Sequence, residues 1–353
     1  MAYNFIPTTA KEVTDKIQGD IGQQIAALLI DLQHQFQSFT DPLAIDADAP
    51  KNIKITRKVQ TKLNLKPLQQ KYNLIKLSFG EGSRGGRGTQ NKGNLFEYEL
   101  AQDIEAWWRG EEPKSAENAV LIKDLIDKYG IDKWTELYVD AEGAENKPRP
   151  LQITGNNVLV SPGIVDIGAV VTDITLRKGK VKTAPAGVYL SLKYSGTVTF
   201  FNAGTKKYLT DAELQKGLVT NAGGLALLNM FGINNAVFCS VFNGKGKNLY
   251  SEDTTSKVDK KALENLIKSG IGYGFHMVHK MGSTIISKEI DKAYRDKASK
   301  VTSVKVYYGG KSGNGARVDI EVLTPKYILK FNFRNKQGGK YISHLMCDYS
   351  YVK

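Results

Sequence analysis

Residues 170–194 read VVTDITLRKGKVKTAPAGVYLSLKY, and this stretch favours a β-hairpin. Two runs rich in Val, Ile, Thr, Tyr and Leu flank a turn that contains Gly179 and Pro185. β-branched and aromatic residues are typical of strands, whereas Gly and Pro mark turns. We therefore predict strands at 169–177 and 187–196, joined so that they lie side by side in one sheet.

The predicted hairpin carries polar residues that could act together. Asp173 lies on the first strand, and the second strand brings Ser191 and Lys193 beside it. Side chains alternate with period two along a strand, so Ser191 and Lys193 point to the same face of the sheet. We expect that face to receive the helix that bears Glu97 near its beginning.

That helix is predicted over 94–108, where Phe96, Leu100, Ile104 and Trp107 recur at helical spacing. A second helix is predicted at 116–129. In the rest of the chain, hydrophobic periodicity and turn residues predict a helix over 9–37 and a loop at 40–50. They also predict strands at 52–59, 73–79, 157–160 and 235–242. Further helices are predicted near 210–230, 259–269 and 286–298, followed by three antiparallel strands, with room for a fourth, over 302–351.

Helices mixed with strands predict an α/β (α+β) protein with a mixed central sheet. We divide the chain into a helical accessory region over 1–75, a core over 76–300 and an antiparallel β extension over 301–353. The role of the first region cannot be read from its residues.

The composition is that of a folded protein, and its charge fits either a polyanionic partner or a protein that is simply basic and soluble. Of 353 residues, 49 are Lys or Arg and 36 are Asp or Glu, which gives a net charge of +13. Such an excess favours nucleic acid, because cations that neutralise phosphates release condensed counterions. The start does not resemble a secretory signal, and no apolar run is long enough to span a bilayer. Two distant cysteines fit a reducing, cytoplasmic setting.

The polar residues of the hairpin and helix suggest metal chemistry. Carboxylates of Glu97 and Asp173 with the carbonyl of Leu192 would supply hard oxygen ligands suited to Mg²⁺, or Mn²⁺ in its place. Lys193 would lie beside the metal, where it could position or deprotonate an attacking water. The alternative is structural: Glu97 is favoured by the helix macrodipole, and Asp173 with Lys193 forms a cross-strand pair.

These residues resemble the PD-(D/E)XK nuclease superfamily. Gly93-x-x-x-Glu97-x-Glu99-Leu100 looks like the opening helix of Holliday-junction resolvases, and Asp173-Ile-Thr-Leu with Ser191-Leu-Lys193 looks like the superfamily's hairpin. The likeness covers roughly residues 90–240. It implies a restriction-endonuclease-like core, Glu97 and Asp173 as metal ligands, and Lys193 as the catalytic lysine.

One position departs from the superfamily's pattern. The acid expected two residues before the lysine is Ser191, and a serine hydroxyl is a poor magnesium ligand. Glu97 could supply the missing carboxylate from the helix. The departure leaves open a protein that kept the fold and the binding of DNA but lost catalysis.

Two groups of residues are candidates for contact with DNA. Arg84, Arg87 and Lys92 lie in the glycine-rich stretch before the Glu97 helix, where they could grip the backbone. Asn332 and Arg334 alternate with phenylalanines and could contact base edges or phosphates. The alternatives are a flexible surface loop and a half-buried edge strand with a polar outer face.

The sequence thus predicts a metal-dependent DNA endonuclease. A DNA-binding or structural protein with a degenerate nuclease fold is the alternative from a different class, and a basic RNA-binding protein is a third alternative. Sequence-specific and structure-specific substrates cannot be distinguished. A homodimer is expected by analogy only, because nucleases that cut both strands are often dimers.

Overall fold

The computed structural model describes residues 5–35, 42–46, 48–55, 65–79, 92–141, 143, 149–196, 198–244, 250–309, 316–335 and 340–352. Within these ranges the chain forms helices and several β-sheets. The mixed α/β class predicted from the sequence is therefore confirmed.

The helices of the described residues are α1 Ala10–Lys16, α2 Gly19–Gln35, α3 Leu65–Lys71, α4 Lys92–Trp108, α5 Ala116–Tyr129, α6 Gly168–Val171, α7 Asp211–Lys216, α8 Ala222–Met230, α9 Asn235–Phe242, α10 Lys260–Ile271 and α11 Lys292–Ala298. The strands are β1 Leu43–Ile45, β2 Asn52–Ile55, β3 Lys76–Phe79, β4 Tyr138–Asp140, β5 Leu151–Thr154, β6 Asn157–Val160, β7 Ile174–Arg177, β8 Ala186–Tyr194, β9 Val198–Gly204, β10 Tyr250–Asp253, β11 Phe275–Met281, β12 Thr284–Ile290, β13 Ser303–Tyr308, β14 Arg317–Leu323, β15 Tyr327–Arg334 and β16 His344–Tyr351.

The chain divides into two compact units. Unit 1 comprises residues 1–143 and 173–194, and unit 2 comprises residues 144–172 and 195–353. Each unit therefore combines segments that are distant in sequence. The divisions predicted after residues 75 and 300 stay predictions, and the compact units follow neither of them.

The N-terminal part of unit 1 packs α1 and α2 with the three-stranded sheet β1-β2-β3 around one apolar core. The predicted helical stripe is buried there: Val13, Ile17, Ile25, Leu28 and Leu32. The single helix predicted over 9–37 is wrong in one respect, because the chain turns at Gly19, whose φ of +73° suits glycine. The predicted loop at 40–50 contains β1, and Phe36 lies outside the described residues.

The rest of unit 1 contains α4, α5 and the antiparallel sheet β4-β7-β8. Three residues of the apolar face predicted for α4 are buried, with Phe96, Leu100 and Ile104 at most 2% exposed, and the fourth, Trp107, is half-buried. Helix α5 has the predicted bounds: the Ser115 side chain caps its first turn, and Gly130 ends it in the left-handed conformation.

Unit 2 contains a six-stranded antiparallel sheet with the order β10-β13-β14-β15-β16-β9. The strands predicted over 302–351 are confirmed, including the fourth. Phe231, Phe238, Phe331 and Phe333 meet edge to face in the core on one side of the sheet, where α9 and α10 contact it. Two hairpins, β5–β6 and β11–β12, complete the strands of this unit.

Residues 235–242, predicted as a strand, form helix α9 instead. The Asn234 side chain accepts a hydrogen bond from the Val237 amide and caps the helix. A run of eight mostly apolar residues fits a buried helix as well as a buried strand, so periodicity could not decide between them. Among the described residues no single helix is long and apolar enough to cross a membrane, although α8 and α9, bent by 101°, together meet that criterion.

Three other predicted elements have different boundaries. The helix predicted at 210–230 is two helices, because Gly217 ends α7 with a φ of +86°. The helix predicted at 286–298 is the end of β12 followed by α11, which Asp291 caps. The strand predicted at 169–177 begins only at Ile174, after the short helix α6.

Candidate active site

Asp173 lies directly before β7 and not within a strand as predicted. Its backbone N–H donates to the carbonyl of Leu190 at 2.7 Å, and its carboxylate Oδ2 accepts from the N–H of Leu192 at 2.6 Å. Two hydrogen bonds, one from the backbone and one to the side chain, therefore fix the carboxylate against β8.

The neighbours of this carboxylate include Ser191, Leu192 and Lys193, as the sequence predicts. The Ser191 hydroxyl donates a hydrogen bond to Asp173, and the positive charge of Lys193 acts on the same carboxylate. Ser191 is 1% exposed, whereas Lys193 is half-buried. The hairpin thus brings Asp173, Ser191, Leu192 and Lys193 together in unit 1.

The ionisation of Asp173 is perturbed. Burial raises the pKa of its carboxyl group, since the charged form loses solvation. The charge of Lys193, the Leu192 N–H and the Ser191 hydroxyl all act in the opposite direction and only partly offset this effect. A carboxylate held in this way gains from a nearby cation, which would restore the stabilisation that water no longer gives.

Glu97 lies in the second turn of α4, and this helix packs against β8. The rings of Phe96 and Tyr194 are in tilted contact, with 6.5 Å between their centroids. Glu97 therefore follows directly after Phe96, the residue through which α4 contacts β8, and β8 is the strand that carries Lys193. Its side chain is half-buried.

The hairpin and helix α4 carry oxygen groups with the chemistry of magnesium ligands. These groups are the carboxylates of Asp173 and Glu97 and the carbonyl of Leu192, and Mg²⁺ and Mn²⁺ prefer oxygen ligands of this kind. Over the described ranges, no cluster of three or more His, Cys, Asp or Glu side chains is arranged to hold a metal. A magnesium ion at Asp173 would therefore need water molecules to complete its coordination.

The predicted DNA-contacting residues lie in different parts of the chain. Arg84 and Arg87 lie outside the described residues, and Lys92 begins α4 with a side chain that is also outside them. In unit 2, Asn332 is 4% exposed. Arg334 donates to the sulfur of Met346.

Strand β15, which carries Asn332 and Arg334, lies between β14 and β16, so the interpretation as an edge strand is wrong. The amide of Asn332 is not presented at the surface. Its burial argues against direct contact of this side chain with base edges, and contact of Arg334 with DNA stays a prediction.

One pair that positions the hairpin was not predicted. The guanidinium of Arg177 donates to Oδ2 of Asp140 at 3.0 and 2.8 Å and to the carbonyl of Ala184 at 3.1 Å. This ties β4 and the turn to the strand that follows Asp173. Asp140 and Arg177 are 37 positions apart, so no local pattern could have connected them.

Comparison with known proteins does not assign this chain to a family. Neither a family model nor a curated protein matches the sequence. The assignment of a function therefore rests on the hairpin, its helix and their chemistry.

The raised pKa of Asp173 leads to a prediction on stability. The folded protein holds the Asp173 proton more tightly than the unfolded chain, so stability falls as pH rises from about 4 through the raised pKa. We expect Asp173→Asn to stabilise the metal-free protein at pH 7.5 by about 0.5–2 kcal/mol. Urea unfolding between pH 4 and 8 in EDTA measures this, and equal pH dependence of both proteins would contradict it.

Proposed function

We propose that this protein is a metal-dependent DNA endonuclease with a PD-(D/E)XK-like site in unit 1. The observation that carries the proposal is the environment of the Asp173 carboxylate. It accepts a hydrogen bond from the N–H of Leu192, and both Ser191 and Lys193 act on it. The order of a helix with Glu97 followed by this hairpin, packed in one unit, supports the resemblance stated above.

Each residue has a distinct role in the proposed reaction, the hydrolysis of a phosphodiester. Asp173 and Glu97 would hold the ion, and the half-buried ammonium of Lys193 would position the attacking water by donating a hydrogen bond to its oxygen. A bound Mg²⁺ would polarise the phosphate and lower the pKa of that water. Lys193 also offers positive charge where negative charge develops on the phosphate oxygens.

Ser191 keeps a role in this scheme although it is not a ligand. Its hydroxyl donates to Asp173, which orients the carboxylate and favours its ionised form. Where the superfamily has a second acid on this strand, β8 therefore carries a hydrogen-bond donor. In the proposed site the second carboxylate is that of Glu97 on α4.

The same serine favours a second candidate function, a DNA-binding protein that has lost catalysis. A site with one carboxylate fewer binds divalent ions more weakly. Calorimetric titration of the protein with Mn²⁺ separates the two candidates: binding that Asp173→Asn removes supports the nuclease, and no binding by the wild type supports the degenerate protein.

The proposed activity is tested by a cleavage assay on supercoiled, linear and branched DNA with Mg²⁺, Mn²⁺ or EDTA. We expect cutting only with the divalent ions, and the preferred substrate distinguishes a restriction-like from a junction-selective enzyme. Salt-sensitive binding of DNA without cutting of any substrate would overturn the catalytic proposal.

A further inference from the structure

The excess of positive charge is unevenly divided between the two units. Unit 2 has 26 Lys and Arg against 14 Asp and Glu, a net charge of +12, and unit 1 has 23 against 22, a net charge of +1. The candidate active site thus lies in a nearly neutral unit. Electrostatic attraction of a polyanion must come mainly from unit 2.

Two lysines of unit 2 converge on one tyrosine. The Nζ atoms of Lys288 and Lys326 lie 5.5 and 6.0 Å from the ring centroid of Tyr294, so they are no more than 11.5 Å apart. Lys288 is exposed on β12, and Lys326 is half-buried between β14 and β15. We name Lys288, Lys326 and Tyr294 the lysine clamp.

The tyrosine of the clamp is fixed from both ends. Its backbone N–H donates to the Asp291 carboxylate at 2.6 Å, which caps α11. Its hydroxyl is 3.0 Å from that of Tyr327, a ring that is 0% exposed. The ring therefore has a set orientation, and it attracts both ammonium groups by cation–π interaction.

The two ammonium groups have no ion-pair partner within the part of the chain that the structure describes. Repulsion between them is thus offset only by the ring and by water. Three other lysines of unit 2 lie within 4 Å of acids, in the pairs Lys206–Asp211, Lys257–Glu252 and Lys300–Glu264.

From this charge and geometry we propose that the lysine clamp binds the phosphate backbone of duplex DNA. Charges along one strand recur about every 3.4 Å of helix axis, so one or two phosphates lie within reach of both ammonium groups. Lysine is suited to this task as a mobile point charge that accepts any base sequence. The choice of DNA among polyanions rests on the proposed nuclease function; the binding itself does not need a metal or cleavage.

The test is fluorescence anisotropy with a labelled blunt DNA duplex in EDTA, with the full-length protein and salt from low to moderate concentration. Replacing both Lys288 and Lys326 by alanine should weaken binding about tenfold at low salt and reduce the slope of log K against log salt by about 1–2. Tyr294→Ala changes no charge but releases both lysines, and we expect about threefold weaker binding. Tyr294→Phe keeps the ring and should bind as the wild type does.

The matched control is the double variant Lys206→Ala with Lys300→Ala, which removes the same charge from the same unit. Equal weakening by this control would show general attraction and overturn the clamp, as would unchanged binding by the clamp variants. If the clamp variants lose affinity for an RNA duplex of equal length but not for DNA, the choice of DNA is wrong. If the protein does not cleave DNA in Mg²⁺ but the clamp variants still bind DNA more weakly in EDTA, the nuclease proposal is wrong and the clamp proposal stands.

Discussion

Lys193→Ala is expected to slow Mg²⁺-dependent cleavage of DNA by about 10²–10⁴-fold, since it removes the group that positions the water and offers positive charge to the phosphate. Binding of DNA in EDTA should stay within a few fold, because the variant removes one cation from a basic protein. Single-turnover rates on the preferred substrate measure the effect. Asp173→Ala should lose activity to at least the same extent, together with Mn²⁺ binding.

The control for this prediction is Lys178→Ala. Lys178 follows β7 in the same unit, but its ammonium lies 5.2 Å from the Trp134 ring centroid and takes no part in the candidate site. We expect its cleavage rate to equal that of the wild type within a factor of two or so. A Lys193 variant that cuts as fast as the Lys178 variant would remove Lys193 from the mechanism.

Arg149→Leu is expected to destabilise unit 2 by about 3–5 kcal/mol. The guanidinium donates to four backbone carbonyls, those of Ser161, Phe200, Ser269 and Gly270, at 2.6–3.4 Å. Burial lowers the pKa of Arg149 to about 10, so the group stays charged at neutral pH. Leucine would leave the four carbonyl groups without this donor, and chemical unfolding with far-ultraviolet circular dichroism measures the loss.

The comparison for Arg149 is Arg109→Leu. Arg109 pairs with Glu111 at 2.9 Å, but both side chains are more than half exposed. Exposed ion pairs contribute about 1 kcal/mol or less, so this variant should unfold close to the wild type. If the two leucine variants are equally stable, the carbonyl contacts of Arg149 do not support the fold.

The local features of the site could be predicted from the sequence, because alternation and turn residues act over a few positions. The sequence predicted the second strand of the hairpin, which carries Ser191, Leu192 and Lys193. It also predicted that Asp173 lies beside this strand. The hydrogen bond between Asp173 and the Leu192 N–H could not be predicted, because it depends on where β7 begins. That start is set by helix α6, which the sequence pattern had merged with the strand.

The errors elsewhere have a common physical origin in tertiary packing. Residues 235–242 are mostly apolar and show no clear period, so their helix is decided by the Asn234 cap and by packing against the sheet. Asn332 alternates with phenylalanines, and alternation predicted an exposed amide. Its strand lies inside a six-stranded sheet, where neighbouring side chains cover it.

The position of β16 in its sheet has a consequence for synthesis. This strand, His344–Tyr351, lies between β15 and β9, which are separated by more than a hundred residues along the chain. On the ribosome, β9 therefore emerges long before β16, the strand it pairs with at the end of this sheet, and until then neither of its edges is paired within the sheet. Chaperones that shield extended segments would act in this interval, and a nascent chain stalled before residue 344 would be the form most prone to aggregate.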